Sequence, residues 1–399
     1  MPASHPPPEN QLKLLVSGAD FFPALLRAIE EAKQEVLLET YIFSLDDTAN
    51  AVKQALVDAA QRGVVVRLIT DWHGTGRNAI ATLNQAFLPA GVEHRNFNPW
   101  FKRGYTRTHR KLCVVDQRIA FVGGINITDD NFCDFDPNLA LSTPRWDFAV
   151  QLSGPLVHDV WVEISAQWQR IAKLDWQAFL AKQRSLPRIP NLPHWRTLAK
   201  FIRGGKAMPL QATFLVRNNF HNRRTIQNAY LKAMGTAQQQ IFLVTPYFAP
   251  GRKFIAALIN AAQRGVEVTL LIGAGQFPLL DAVAHAFYPA LLANGVRLVE
   301  YRKTQLHAKV AVIDSTWATV GSSNFDGLSL FVNHEANVVV KDGAFANELQ
   351  GHIQNAVADG ISIALSQYQD FPWYKRAGYR LAYWLYKALL SIATRGHYH

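Results

Sequence analysis

At 399 residues the chain is long enough for two domains, and its 49% hydrophobic content is ordinary for a globular protein, so sizeable cores can be buried. A net charge of +11 and a pI of about 9.6 favour anionic partners without choosing among phosphorylated substrates, nucleic acid and an anionic membrane face. Two cysteines, Cys113 and Cys133, exclude a disulfide framework, and the lack of any run of roughly 18 uncharged apolar residues excludes a predicted transmembrane helix.

In chain order, residues 1–11, with prolines at Pro6 to Pro8, read as a disordered tail without the basic start or apolar run of a signal peptide, so a cytoplasmic protein is expected. Asp20 to Lys33 predicts a helix with Phe21, Leu25, Ala28, Ile29 and Ala32 on one face. Glu35 to Phe43 is strand-like, Asn50 to Arg62 helical and stopped at Gly63, and Val64 to Thr70 an apolar, β-branched strand broken only by Arg67. The basic, aromatic stretch Trp100 to Arg107 then leads into His109-Arg110-Lys111. Cys113 lies in the strand that follows and reads as a small buried residue, not a reactive thiol.

The second half replays this order. Arg224 to Ala237 predicts a helix and Gln240 to Phe248 a strand, and Ala261 to Val266 repeats Ala59 to Val64 letter for letter. The copies stand 202 residues apart at Gln61 and Gln263, 204 at Gly91 and Gly295, and 198 at His109 and His307. A nearly constant offset across separate elements means a duplicated domain. Alternating strands and helices make each copy a layered α/β unit. The expected units are 12–172 and 211–360. Between them, 173–210 carries Pro187, Pro190 and Pro193, Trp195 and six basic residues from Lys182 to Arg203; it reads either as an exposed linker or as a membrane-facing or substrate-capping segment. The basic, aromatic segment 361–399 departs from the duplication. As a helix it places Leu381, Leu385, Ala388, Leu389 and Ile392 on one face with Tyr379, Tyr383 and Tyr386 opposite, which suits either a membrane-interface helix or one packed on the body.

The two copies share one pattern with identical spacing. His109, Lys111, Asp116, Gly123 and Asn126 are answered by His307, Lys309, Asp314, Gly321 and Asn324. On a strand each His and Lys share a face, whereas Asp116 and Asp314, at odd spacing where the chain turns back, do not, which gives them a structural or charge-pairing role. Two histidines, two lysines and two asparagines from duplicated domains suggest one composite site on a pseudo-twofold axis. Lysine ammonium groups and the amides of Asn126 and Asn324 suit the oxygens of a phosphoryl group. One neutral imidazole can attack phosphorus while the other protonates the leaving oxygen, a two-step mechanism that needs no metal and no cofactor. Asp147 and Glu335, each preceding an apolar strand-like run at matching positions, are the candidates to orient the imidazoles. The other histidines singled out, His73, His94, His158, His285 and His334, read as core or surface residues.

These residues resemble the double signature of the phospholipase D superfamily, from about residue 11 to about residue 345. Within it the chain is similar to the bacterial B-type cardiolipin synthases, on Leu38 to Phe43, Ala59 to Val64, His109-Arg110-Lys111 with Phe121 to Asn126, Ala318 to Asn324 and Leu328-Ser329-Leu330. The resemblance implies two duplicated phospholipase D-like α-β-α sandwich domains with pseudo-twofold symmetry and an active site at their interface. It implies that one motif histidine, taken as His109, is phosphorylated by the phosphatidyl donor while His307 acts as acid and then base. It counts Asp116 and Asp314 among the catalytic motif members. Phosphatidylglycerol would be donor and acceptor, giving cardiolipin and glycerol at the cytoplasmic side of a membrane to which the protein binds peripherally. The alternative is a phosphodiesterase hydrolysing phospholipid or nucleic acid; the aromatic stretches favour lipid over nucleic acid as partner. The oligomeric state has no signature in the sequence.

Overall fold

A computed structural model of the chain describes residues 9–101, 104–133, 136–174, 212–219 and 222–393. In the first half β1 (Gln11–Val16), β2 (Glu35–Thr40), β3 (Val65–Asp71), β4 (Glu93–Phe97), β5 (Leu112–Val115), β6 (Ile119–Gly123) and β9 (Phe148–Ser153) form a seven-stranded sheet in the order β1-β9-β6-β5-β2-β3-β4. A small hairpin, β7 (Phe132–Cys133) and β8 (Asp136–Ala140), stands apart from it. In the second half β10 (Ala212–Arg217), β11 (Gln240–Thr245), β13 (Glu267–Gly273), β14 (Arg297–Tyr301), β15 (Val310–Ile313), β16 (Trp317–Gly321), β18 (Glu335–Val340) and β19 (Ile361–Ile363) form the order β10-β18-β16-β15-β11-β13-β14-β19. A two-residue parallel pair, β12 (Phe248–Ala249) with β17 (Phe325–Asp326), completes it. Without β19 the second order matches the first strand for strand, so the duplication extends to topology. Within the two large sheets the neighbours β2-β3-β4 and β11-β13-β14 are parallel and the remaining ladders antiparallel.

Strand alternation divides the side chains between two cores. In the first sheet Val36, Leu38, Val66, Leu68, Cys113 and Val115 pack under the helices Ser17–Glu30, Asp47–Gln61 and Arg77–Ala90. Their neighbours Leu37, Ile69, Leu112, Val114, Val122 and Val150 face the other way. There they join Val244, Leu271, Val299, Val310, Val312 and Val338 of the second sheet in one cluster that also takes in the helices Leu156–Leu174 and Gly343–Ala358. The central core is therefore common to both halves. Burial pushes the Cys113 thiol up to about 12, as an inert core residue requires.

Several expected boundaries move. Gln11, placed in the tail, opens β1 and pairs with Ser153. The edge strands β1 and β10 had no counterpart in the sequence reading, because six-residue stretches interrupted by Lys13 or Thr213 lack a clean alternation. The first helix starts at Ser17, three residues early, and the predicted strand Glu35 to Phe43 ends at Thr40. Residues 173 and 174 finish a helix; the rest of the predicted linker, 175–210, lies outside the described residues, as do residues 1–8 and residue 211, the expected first residue of the second unit. The terminal segment does not begin as a separate unit, since Ile361–Ile363 adds to the second sheet against β14.

Candidate active site

Both motif histidines lie just before a strand, not within one: β5 begins at Leu112 and β15 at Val310. The stretches holding them are fixed by backbone pairing between the halves. His109 N–H donates to His334 O at 2.9 Å and His334 N–H to Arg107 O at 2.8 Å; His307 N–H donates to Trp146 O at 2.9 Å and Trp146 N–H to Gln305 O at 3.0 Å. His334 and Trp146 are the residues immediately before Glu335 and Asp147. The register of these two short parallel bridges thus delivers each carboxylate to the histidine of the opposite half.

The side chains complete this crossing. His109 Nδ1 lies 3.1 Å from Glu335 Oε2 and 3.1 Å from Ser322 O, and His307 Nδ1 lies 2.6 Å from Asp147 Oδ2. With Nδ1 committed as the N–H donor, Nε2 is the atom left for chemistry on each ring. Lys111 Nζ donates to His109 O at 2.8 Å and Lys309 Nζ to His307 O, which folds each ammonium back beside its own histidine. All six groups are buried, with Glu335 and Lys309 fully so. Asn126 and Asn324 are buried too; Asn126 Oδ1 accepts from Ile42 N–H at 3.3 Å, leaving its NH2 group to donate elsewhere.

Burial, reinforced by the charge of Lys111, lowers the His109 pKa and keeps the imidazole neutral. Burial alone would raise Glu335, but His109, Lys111 and the Ser322 hydroxyl outweigh it and hold the carboxyl ionised below the ordinary glutamate range. At Asp147 burial wins over the opposing charge of Lys309 and raises the pKa to about 6. The two carboxylates are also built differently. Ser322 Oγ donates to Glu335, whereas the corresponding Gly124 approaches Asp147 so closely that a Cβ there would collide with the carboxylate. Asp147 draws on its own neighbour instead, accepting from Phe148 N–H at 2.7 Å.

Asp116 and Asp314, counted with the catalytic motif in the sequence reading, do not reach this site. Each opens the three-residue turn at the far end of its strand, in left-handed backbone (φ 51° and 50°) shared with Gln117 and Ser315. Asp116 accepts from the N–H groups of Lys33, Gln34 and Glu35 at 2.8–2.9 Å, and Asp314 from those of Gln238, Gln239 and Gln240 at 2.8–3.0 Å. Partial burial opposes their ionisation, but the three N–H groups together outweigh it and hold each carboxyl below the ordinary aspartate range. Their place is structural, as the odd spacing indicated.

The sequence reading missed a buried charge network behind His109. Glu39 holds Arg110 through Nε and NH2 at 3.0–3.1 Å, Glu163 takes Arg110 NH1 at 2.7 Å and Arg170 at 2.8 Å, and Thr108 also donates to Glu39. Glu39, directly after the apolar run Val36 to Leu38 and still within a strand, was the available signal. Tyr41 was missed as well: its ring meets the His109 imidazole edge-on at 4.9 Å, and its hydroxyl accepts from Arg107 at 3.2 Å. So was Asp71, raised by burial to about 7, which accepts from Thr108 N–H at 2.8 Å and thereby fixes the residue before His109.

Two buried imidazoles, each with an ammonium group folded beside it and a carboxylate from the opposite half, can hold a phosphoryl group and carry attack and proton transfer on opposite sides of it, with the buried carboxamides of Asn126 and Asn324 as further donors. The comparisons with known proteins agree with that chemistry. Residues 25–156 and 230–357 match the family described as cardiolipin synthase, phospholipase D-like domain. The chain is 34% identical over 360 residues to cardiolipin synthase B of Escherichia coli (strain K12), covering 88% of this chain and 81% of that protein. It is 28% identical over 388 residues to cardiolipin synthase A of Pectobacterium carotovorum, covering 94% and 74%. In fold it is similar to phosphatidylserine synthase of Haemophilus influenzae Rd KW20, with a TM-score of 0.67 at 14% identity over 96% of this chain and 95% of that one. With both halves matched and the double motif intact, the chain belongs to the cardiolipin synthase, phospholipase D-like domain family.

Proposed function

We propose that the protein is a phosphatidyl transferase that makes cardiolipin from two molecules of phosphatidylglycerol, working peripherally at a membrane surface. His109 Nε2 attacks the donor phosphorus, a N–P bond forms, the P–O bond to the terminal glycerol breaks, and His307 gives its proton to the departing glycerol oxygen. The terminal hydroxyl of a second phosphatidylglycerol then loses its proton to His307. Its oxygen attacks the phosphohistidine, the N–P bond breaks, and cardiolipin leaves with both histidines restored. Lys111, Lys309, Asn126 and Asn324 donate to the phosphoryl oxygens, where charge develops in the transition state.

The observation that carries this reading is the crossed pairing of His109 with Glu335 and His307 with Asp147, which supports a single site shared by two oriented imidazoles. Neutral His109 suits a nucleophile, and the shorter contact of His307 with its carboxylate, 2.6 Å against 3.1 Å at His109, suits a group that must carry a proton. Membrane association is expected from the lipid substrates; among the described residues no helix is long and apolar enough to cross a bilayer. The test is turnover of phosphatidylglycerol vesicles with product analysis by lipid chromatography. Cardiolipin and free glycerol in equal amounts, lost in His109→Ala and His307→Ala, are expected. Phosphatidic acid in place of cardiolipin would make the enzyme a hydrolase, and cleavage of single-stranded DNA without lipid turnover would discard the lipid reading.

A further inference from the structure

The helix Trp373–Ala393 has two unlike faces. One is docked: the Tyr379 ring stacks on His285 at 4.8 Å, Tyr383 meets Phe287 edge-on at 5.1 Å, and Ala382 and Leu390 are buried. The other is bare. Trp373 is 75% exposed, Leu381 60%, Trp384 62%, Leu385 54% and Leu389 62%. Their spacing keeps them on one side of the helix, so they form a continuous apolar stripe rather than scattered surface residues.

The charge around this stripe has one sign. Arg376, Arg380 and Lys387, spaced four and seven residues apart, line the boundary between the bare and docked faces, and Lys375 lies near the helix start. The helix contains no Asp or Glu, and none of these four cations forms an ion pair among the described residues. Lys375 rests over the Phe371 ring and Lys387 over the Trp384 ring, at 4.0 and 5.2 Å. Tryptophan and tyrosine with flanking cations on an amphipathic helix suit the boundary between lipid headgroups and acyl chains, and the cations suit an anionic leaflet.

The docked face also ties the helix to the site. Gly327 N–H donates to Tyr386 Oη at 3.1 Å, and Gly327 lies three residues after Asn324. A contact made by the bare face is thus held at a fixed position relative to the phosphoryl-binding residues.

We propose that the exposed face of helix Trp373–Ala393 is the surface on which the enzyme seats on an anionic bilayer, with Trp384 and Leu385 in the interfacial layer and Arg376, Arg380 and Lys387 on the headgroups. The inference deepens the reading of the protein as a peripheral enzyme acting on phosphatidylglycerol, and rests on it for the nature of the membrane. The full chain should sediment with phosphatidylglycerol vesicles and far less with phosphatidylcholine vesicles. Leu381→Glu/Leu385→Glu/Leu389→Glu should weaken that binding at least about tenfold. Arg376→Glu/Arg380→Glu should weaken it in low salt and bring it closer to the phosphatidylcholine level. Turnover on vesicles should fall in parallel, while turnover on a short-chain phosphatidylglycerol below its micellar concentration stays as in the unaltered protein, which also shows that the variants fold. Unchanged vesicle binding in both variants overturns the proposal. So does a wild-type dimer that the triple variant breaks into monomers without loss of vesicle binding, since the face then serves a second copy. Vesicle binding through this face without cardiolipin formation would leave the surface standing and remove the transferase reading.

Discussion

At the scale of single residues, the two histidines have different surroundings and should fail differently. His109→Ala removes the nitrogen that would bond to phosphorus and should abolish turnover, with no phosphoprotein trapped from labelled phosphatidylglycerol. His307→Ala removes proton transfer and should lower kcat about 10²–10⁴-fold while a labelled intermediate can still accumulate. The acid limb of the pH profile belongs to Asp147. Ionised, it supports an imidazolium at His307; as the pH falls through about 6 it takes a proton and that support is lost. Turnover should therefore decline below about pH 6, and Asp147→Asn should lower kcat at neutral pH and flatten that limb; an unchanged profile in the variant would assign the limb to another group. The His–Lys spacing and the repeated position of Asp147 and Glu335 made these residues legible in the sequence. That each carboxylate serves the other half's histidine was not, because it follows from backbone pairing between segments about 160 to 226 residues apart, which no local pattern encodes. Tyr41 and Arg107 lie in stretches the sequence singles out, but their contacts beside His109, like that of Asp71, belong to one half only, so the duplication could not flag them.

At the scale of elements, Asp116 and Asp314 show a motif residue acting through architecture. Each ties the turn between two strands to the first residues of the neighbouring strand, and that strand runs up to the site. Asp116→Ala should cost about 1–3 kcal/mol, since three N–H groups lose a charged acceptor at a partly exposed place. Both carboxyls titrate below their ordinary range, so this contribution is present at neutral pH and is lost as the solution is acidified below the usual aspartate pKa. Urea denaturation of Asp116→Ala and the unaltered protein at neutral and acid pH should show the difference shrinking with acid. Behind His109 the charge network joins β2, the residues before β5 and the helix Leu156–Leu174. Glu39→Ala strips one of the two carboxylates from fully buried Arg110 and should destabilise by about 3–5 kcal/mol in thermal unfolding. The matching positions of the second half hold Val244, Ala308 and Gly351, the last at the same sixteen-residue distance from Glu335 as Glu163 from Asp147. An apolar solution at this place is thus compatible with the fold. Most helices and central strands could be read from period and length. The edge strands β1 and β10 could not, because their pairing partners β9 and β18, not their own composition, make them strands.

At the scale of the whole molecule, the common core between the two sheets makes the halves one cooperative body despite their separate origin in sequence. Calorimetry should show a single unfolding transition with matching calorimetric and van't Hoff enthalpies, and two resolved transitions would mean that the shared cluster of Leu37, Val114, Val310 and Val338 does not couple them. The crossed carboxylates carry this unity into the chemistry. A solitary copy of the repeat would own a histidine without its partner and a partner without its histidine, so it could assemble a complete site only by meeting a twin, and then both sides of the site would be the same. Joining the copies in one polypeptide lifts that sameness. One flank can keep glutamate with a serine hydroxyl and set it beside a buried arginine network, while the other keeps aspartate with a glycine and an apolar wall. A reaction whose two ends need different things, a bare nitrogen on one side and a carried proton on the other, can then tune each end without disturbing its opposite.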